Sequence, residues 1–284
     1  MNRPTAVRQT LELSGIQLSY WEWNRGGEPL LLLHGLADCG MVWTSLGDYL
    51  APNYHIVAPD LRGHGDSSKP NTGYQFADFI EDLDALMEHL GWSNASVLAH
   101  SWSAKILTIW ATKHPEKFRN LILVDPFFIE KIPSWWGISL PILYRILPFL
   151  KTMRSFASYE EAEQLARQLK QYRGWSPLQK RVFQASIEEK LDGTWSSKFV
   201  VPARNLIFRE VMKVAGLTKS IDIPTLLIKP RQGLNRTEWQ LKPYRTYLNT
   251  LQIKEVPGNH WVFLVEPEIF NWTVAEFLNR KTKV

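Results

Sequence analysis

The chain alternates between short apolar runs and segments whose apolar side chains recur at helical spacing. Residues 29–34 and 95–99 are apolar runs bounded by small or polar residues, which is typical of buried strands. Residues 76–90 carry apolar side chains at helical spacing and are followed by Gly91, a common residue after a helix. The same criteria predict a helix that stops at His114-Pro115, an antiparallel hairpin over 7–23, strands at 54–59, 121–124, 224–229 and 251–256, and helices at 41–51, 237–249 and 266–280.

This alternation predicts an α/β fold with a parallel sheet, and it breaks in the middle of the chain. Residues 127–218 contain no convincing strand. Their helical patterns lie near 137–154, 158–172, 176–191 and 202–216. We therefore expect an α/β core of residues 1–126 and 219–284 and a helical segment of residues 127–218. The ligand site of such a core lies at the carboxyl ends of its strands.

Composition places the chain among ordinary globular proteins. Of its 284 residues, 45% are hydrophobic and 21% are charged. No apolar run is long enough for a membrane-spanning helix, and residues 1–5 lack the apolar core of a signal peptide. The single cysteine, Cys39, excludes an internal disulfide and fits a reducing compartment, as a reactive thiol or as a core residue. These features predict a cytoplasmic protein.

The net charge of +5 is unevenly distributed along the chain. Residues 1–126 carry 9 basic and 14 acidic side chains, residues 127–218 carry 14 and 8, and residues 219–284 carry 10 and 6. The basic middle segment is either a solvated helical surface or a surface that attracts an anionic substrate or membrane. No nucleic-acid-binding motif accompanies the charge, so a nucleic-acid partner is not expected.

The best candidate for a reactive side chain is Ser101, at the junction of a predicted strand and helix. The local sequence is Val97-Leu98-Ala99-His100-Ser101-Trp102-Ser103-Ala104. Small residues two places before and after the serine allow strand and helix to pass closely, as the tight turn of a nucleophile elbow requires. The helix N-terminus at this turn favours developing negative charge. Taken alone, the same pattern also fits an ordinary strand–helix junction.

Three further segments decide between these interpretations. A buried strand runs into His34-Gly35, the segment 60–67 reads Asp-Leu-Arg-Gly-His-Gly-Asp-Ser, and a later strand ends at His260. With these four markers in this order, the chain resembles the α/β-hydrolase fold family over nearly its whole length. The resemblance implies a mostly parallel central sheet with helices on both faces. It also implies that the helical segment is a cap, inserted after the strand that ends near Asp125, and that the 60–67 turn braces the fold.

The resemblance also implies a catalytic triad with Ser101 as nucleophile and His260 as base. The usual position of the triad acid falls on Gly233, and the nearest polar side chain, Asn235, carries no charge. Some lipases and haloalkane dehalogenases of this family place the acid after the preceding strand, where this chain has Asp125. We therefore predict Asp125 as the acid. The alternative is that Asp125 has only a structural role at this strand end.

The remaining site predictions concern the oxyanion hole and the substrate pocket. By resemblance, the backbone N–H groups of Leu36 and Trp102 stabilise the oxyanion. The side chains of Trp102, Phe127, Trp135 and Trp136 are candidates for the pocket. The apolar, proline-broken stretch that starts at Trp135 is either packed on the core or forms a wall for a long acyl or isoprenoid chain. In the second case it also contacts a membrane interface beside the basic residues of the cap.

Together these features predict a serine hydrolase that cleaves a hydrophobic, lipid-like ester through an acyl-enzyme, without a metal or an organic cofactor. Dehalogenases and epoxide hydrolases of this family use Asp at the elbow, so a serine at position 101 disfavours both reactions. Two alternatives remain open. One is a non-ester member of the fold, such as a C–C hydrolase or a lyase, and the other is a ligand-binding relic with weak catalysis.

Overall fold

The structure, a computed structural model, describes residues 6–131 and 153–280 and is built around an eight-stranded sheet. In chain order the strands are β1 (Val7–Leu13), β2 (Ile16–Trp23), β3 (Glu28–Leu33), β4 (Tyr54–Pro59), β5 (Ala95–His100), β6 (Phe118–Val124), β7 (Ile187–Glu189), β8 (Trp195–Ser197), β9 (Thr225–Gln232) and β10 (Leu251–Asn259). The large sheet has the order β1-β2-β4-β3-β5-β6-β9-β10, and β7 and β8 form a separate antiparallel pair. Only the β1–β2 and β2–β4 pairings of the large sheet are antiparallel.

Helices cover both faces of this sheet. Numbered over the described residues, they are α1 (Thr44–Leu50), α2 (Phe76–His89), α3 (Ser103–Lys113), α4 (Tyr159–Ala166), α5 (Pro177–Ser186), α6 (Val201–Lys213), α7 (Glu238–Tyr247), α8 (Val262–Val265) and α9 (Pro267–Leu278). Short 3₁₀ helices lie at Gly40–Trp43, Pro115–Lys117 and Lys170–Tyr172. Across the described ranges, none of these helices combines the length and apolarity that crossing a bilayer requires.

Each face of the sheet packs against its own hydrophobic core, because successive side chains of a strand point to opposite faces. In β3, Leu31 and Leu33 join the core cluster that contains α2, α3 and α7, while Leu30 and Leu32 join the cluster that contains α1, α8 and α9. All four leucines are fully buried. A strand buried on both faces needs a continuous apolar run, which is the pattern that made these strands visible in the sequence.

The fold class predicted from the sequence is confirmed, and the core elements lie within a few residues of their expected positions. The largest shifts are of three residues: β6 starts at Phe118 rather than at residue 121, and β9 and β10 end at Gln232 and Asn259 rather than at residues 229 and 256. In β6, the second and third residues, Arg119 and Asn120, are not buried, so the apolar run alone underestimated the length of the strand.

The middle segment corrects the expectation that it contains no strand, and it corrects two of the predicted helices. The helix expected over 176–191 ends at Ser186, because Ile187 adopts an extended conformation and β7 pairs with β8. The turn between these two strands contains Asp192-Gly193, a dipeptide common in hairpin turns. The helical spacing of apolar residues just before it had favoured a helix instead. The helix expected over 158–172 is divided into α4 and the 3₁₀ helix at Lys170–Tyr172.

In the described part of residues 127–218, no strand joins the large sheet. The helix expected at 137–154 lies almost entirely outside the described residues. The boundaries 1–126 with 219–284 for the core and 127–218 for the cap remain a prediction.

One buried lysine joins the two ends of this middle segment to the core. Lys105 lies on α3 and is fully buried. Its Nζ donates to three backbone carbonyls: Glu130 at 3.1 Å, Val211 at 2.6 Å and Val214 at 2.9 Å. An ammonium group has three N–H donors, so each donor has an acceptor. The start and the end of the segment therefore meet at the helix that follows Ser101.

Candidate active site

The turn between β5 and α3 places Ser101 at the carboxyl edge of the sheet. Ser101 has φ of +60°, in the left-handed region that is strained for a residue with a side chain. Its backbone N–H donates to the Val124 carbonyl at 3.0 Å, which ties the turn to β6. Ala99 and Ser103 are fully buried on either side of it, and the Ser103 hydroxyl donates to the His100 carbonyl at 2.8 Å. The small residues seen in the sequence therefore allow this close packing.

His260 lies immediately after β10 and faces the serine. Its Nε2 is 3.0 Å from Ser101 Oγ, and its Nδ1 is 2.6 Å from Asp125 Oδ2. A neutral imidazole that donates through Nδ1 to the carboxylate accepts the serine hydroxyl through Nε2. The backbone carbonyl of His260 also accepts a hydrogen bond from His100 Nε2 at 2.9 Å. The contacts to Ser101 and Asp125 therefore orient the imidazole ring, and the contact from His100 holds its backbone.

Asp125 lies immediately after β6 and is fully buried, with φ of +40°. Its carboxylate accepts hydrogen bonds from the Leu234 N–H at 2.9 Å and from Asn235 Nδ2 at 3.0 Å. Burial acts to raise the pKa of Asp125, but the hydrogen bond and charge of His260 and the donors at 234 and 235 outweigh it. They hold the pKa below its usual value. Asp125 is therefore an ionised partner for the imidazole.

Gly233, the position where the resemblance would place the acid, lies against this carboxylate. A Cβ added at Gly233 would be 2.6 Å from Asp125 Oδ2, closer than atoms can pack. The carboxylate of Asp125 therefore occupies the space that a side chain at position 233 would need. Asn235 does not replace the acid, because its side chain donates to Asp125 and to the Pro126 carbonyl at 2.8 Å.

The residues expected to form the oxyanion hole lie beside Ser101. Leu36 and Trp102 line the same cavity as Ser101 and His260. In the part of the chain that the structure describes, neither backbone N–H donates to a protein acceptor, so both remain free for a ligand oxygen. Trp102 also begins the turn into α3, where helical N–H groups are unpaired.

The cavity beside Ser101 has a volume of about 230 Å³ and a mostly apolar lining. Its apolar side chains, among the described residues, are Leu36, Trp102, Phe127, Ile207, Phe208, Val211, Leu234 and Trp261. Trp102 and Phe127 were expected there, whereas Trp135 and Trp136 lie outside the described residues. The α6 side chains were missed, because the apolar stripe of that helix shows that one face is buried but not what it contacts. The remaining lining side chains include Gln171, Gln232, Asn259, Lys170 and Arg236.

Other polar residues of the motifs have structural contacts. Asp60 accepts hydrogen bonds from the Gly40 N–H at 2.7 Å and the Asp66 N–H at 2.9 Å, and Arg62 pairs with Asp82 at 2.6 Å. The Cys39 thiol is buried, and burial raises its pKa, so it is not a reactive thiolate. Over residues 6–131 and 153–280, no three side chains of the kinds that bind metal ions lie close enough together to hold one.

Comparison with known proteins gives three informative similarities. A family model described as the alpha/beta hydrolase fold matches residues 28–267. The chain is 30% identical over 137 residues to a haloalkane dehalogenase of Bradyrhizobium diazoefficiens, a match that covers 48% of this chain and only 44% of the dehalogenase. It is 24% identical over 283 residues to 2-(acetamidomethylene)succinate hydrolase of Mesorhizobium japonicum, covering 96% of this chain and 95% of that enzyme.

Among solved structures, E-2-(acetamidomethylene)succinate hydrolase is similar to this chain with a TM-score of 0.81 at 22% identity. The similarity covers 96% of this chain and 99% of that one. At this identity it shows a shared fold.

Proposed function

Because this chain belongs to the α/β-hydrolase fold family, we propose that it is a serine hydrolase in which Ser101, His260 and Asp125 form the catalytic triad. One observation carries the proposal: the hydrogen bonds that run from Ser101 Oγ through His260 to Asp125, at 3.0 Å and 2.6 Å. A serine hydroxyl becomes nucleophilic when a base within hydrogen-bond reach accepts its proton and an acid orients that base. This geometry also favours catalysis over a ligand-binding relic.

In the proposed mechanism, Ser101 Oγ attacks the substrate carbonyl carbon while His260 Nε2 takes the hydroxyl proton. The Leu36 and Trp102 N–H groups stabilise the oxyanion of the tetrahedral intermediate. His260 then gives its proton to the leaving alcohol oxygen as the carbonyl–oxygen bond breaks, leaving an acyl group on Ser101. Water repeats these steps, releases the acid and restores the serine. Asp125 stays ionised and stabilises the imidazolium.

The proposed substrate is a hydrophobic ester with a lipid-like acyl or isoprenoid chain. Support comes from the apolar lining of the cavity beside Ser101, which includes Phe127, Ile207 and Phe208. The dehalogenase relative does not change this proposal. By the family pattern, dehalogenases use an aspartate at the position occupied here by Ser101.

A second candidate function is hydrolysis or lysis of a non-ester bond, as in the C–C hydrolases and lyases of this fold. It is favoured by the relative that matches over nearly the whole chain, whose named substrate is 2-(acetamidomethylene)succinate rather than a lipid ester. The same triad serves both reactions, so substrate profiling separates them. An enzyme of the second kind turns over simple p-nitrophenyl esters poorly.

The nucleophile is tested by labelling with a fluorophosphonate probe. We expect rapid labelling of the wild-type chain at Ser101 and none in Ser101→Ala, because only an activated serine attacks the probe. Ser220→Ala, which removes an exposed hydroxyl elsewhere, is the matched control and should label like the wild type. A wild-type chain that does not react, or a Ser101→Ala variant that does, would contradict the proposal.

The substrate class is tested with p-nitrophenyl esters of increasing acyl length. Each methylene buried in an apolar cavity contributes about 0.8 kcal/mol, so kcat/KM should rise up to about fourfold per methylene until the cavity is filled. The measurement is kcat/KM against chain length at substrate concentrations below micelle formation. A preference for the shortest, most water-soluble esters would show that the substrate is not lipid-like.

A further inference from the structure

Two cations border the cavity beside Ser101, and no carboxylate among the described lining residues balances them. The cations are Lys170 and Arg236, and both side chains are exposed. Within the described ranges, neither forms an ion pair with Asp or Glu. The stretch 132–152, outside those ranges, contains Arg145 and Lys151 but no acidic residue. That stretch therefore cannot supply a carboxylate.

The backbone of Lys170 is fixed next to the proposed base. Asn259 directly precedes His260, and its Nδ2 donates to the Lys170 carbonyl at 2.9 Å. The neighbouring Gln171 lines the same cavity and is buried. Lys170 thus has an anchored backbone at the cavity and an exposed ammonium group that, among the described residues, has no ion-pair partner.

Arg236 is fixed in the same way, on the side of the proposed acid. It follows Asn235, whose side chain binds Asp125 at 3.0 Å. Arg236 Nε donates to the Gly233 carbonyl at 2.7 Å, which orients the guanidinium and leaves its terminal N–H groups available. The two cations are thus attached to the segments that hold His260 and Asp125.

From this arrangement we propose that Lys170 and Arg236 form a subsite for an anionic group, a carboxylate or a phosphate, on the substrate. This inference rests on the proposed function, because it takes the occupant of the cavity to be the substrate. Guanidinium and ammonium groups are the usual protein partners of carboxylates and phosphates. The interior of the cavity is apolar and its cations are exposed, so the occupant is an amphiphile whose apolar chain enters and whose charged group stays between Lys170 and Arg236.

The subsite can be tested by ligand binding, without relying on catalysis. The full chain carrying Ser101→Ala is titrated calorimetrically with decanoate, decyl phosphate and decanol, which share one alkyl chain. At least one of the two anions should bind more tightly than decanol. Adding Lys170→Gln or Arg236→Gln to this background should lower that preference by up to about fivefold each, the upper end of what exposed ion pairs contribute. High salt should lower it in the same direction.

The controls are Lys242→Gln and Arg181→Gln in the same background, each removing an exposed cation that does not line the cavity. Both should keep the wild-type preference for the anion. Equal affinity for all three ligands, or an equal effect of the control substitutions, would overturn the inference. The stronger of the two anions identifies the group as carboxylate or phosphate. An anion preference without ester hydrolysis would leave this subsite standing and remove the proposed esterase function.

Discussion

At the scale of single residues, the choice of Asp125 as the acid depends on the space around Gly233. Two parallel strands, β6 and β9, end side by side, and an acid after either one can approach His260. At Gly233 the missing side chain leaves room for the Asp125 carboxylate, which a Cβ would contact at 2.6 Å. The sequence alone left Asp125 with a structural alternative, because one chain cannot show which strand end faces the histidine. The 2.6 Å contact between His260 and Asp125 favours the catalytic interpretation.

Asp125→Asn should reduce kcat on an ester substrate by about 10⁴-fold, with the fold intact. The amide presents an N–H or an uncharged oxygen to His260 Nδ1, so it neither fixes the correct tautomer nor stabilises the imidazolium. Steady-state kinetics of the purified variant measure the effect, with circular dichroism as a check on folding. Asp222→Asn, at an exposed position, is the matched control and should retain activity. A decrease of less than tenfold in a folded Asp125→Asn variant would exclude Asp125 from the triad.

At the scale of elements, α3 connects the proposed nucleophile to the middle segment of the chain. The helix begins two residues after Ser101 and carries Lys105, whose three carbonyl partners lie at Glu130, Val211 and Val214. Val211 also lines the cavity. The shape of the cavity therefore depends on the three hydrogen bonds of Lys105, because they hold the end of α6, which carries Val211.

Lys105→Met should lower the free energy of unfolding by about 2–5 kcal/mol, because it leaves buried carbonyls without donors. It should also raise KM for esters, because Val211 and the rest of α6 lose their anchor. Urea unfolding and steady-state kinetics measure the two effects. Lys113→Met, at an exposed position on the same helix, should change stability by less than about 0.5 kcal/mol. Equal stability of the two variants would show that Lys105 does not anchor the segment.

The sequence predicted elements where burial imposes a regular pattern, and it missed those that depend on local pairing. Strands β3, β4 and β5 were predicted within one residue, since strands buried on both faces require continuous apolar runs. The β7–β8 hairpin was missed, because both strands have three residues and no apolar run. Short strands of this kind form through the Asp192-Gly193 turn and their cross-strand hydrogen bonds.

At the scale of the whole molecule, the sequence predicted the residues of the proposed triad more fully than the residues that line the cavity. Ser101, Asp125 and His260 each follow a strand, so knowledge of the sheet brings them to one edge. The cavity depends on how α6 and the 170–171 segment pack against that edge, and no local pattern encodes this packing. Lys170 and Arg236 were likewise hidden among many exposed basic residues in the sequence, 66 positions apart.

No local sequence pattern predicted a buried acid–histidine pair that lies beneath the proposed active site. Asp38 Oδ2 lies 3.6 Å from His100 Nδ1, and within the described chain neither atom has a hydrogen-bond partner. His100 uses its other nitrogen to hold the His260 carbonyl. Burial raises the pKa of Asp38 to about 6, with His34 and His260 acting against the rise. Protonation of Asp38 would place a donor next to His100 Nδ1, and it would remove the cost of burying a carboxylate there.

The contribution of Asp38 to the free energy of unfolding should therefore decrease as the pH rises through about 6. Below about pH 4 this carboxyl is protonated in both the folded and the unfolded chain, and its favourable contribution is fully present; above about pH 6 the folded chain must hold a buried carboxylate. The rise from 3.8 to about 6 corresponds to roughly 3 kcal/mol. His34, whose pKa burial lowers to about 4, changes stability in the opposite direction over this range, so wild-type data alone would hide the effect.

Comparison with Asp38→Asn isolates this effect, because the amide stays neutral while His34 is common to both proteins. We expect the unfolding free energy of the variant, minus that of the wild type, to increase between about pH 4 and pH 7 and then level off. Urea denaturation at a series of pH values gives this difference directly. Asp192→Asn, in the exposed β7–β8 turn, serves as the control and should show no comparable increase across that range. A difference that stays constant, or that decreases with pH, would mean that folding does not raise the pKa of Asp38.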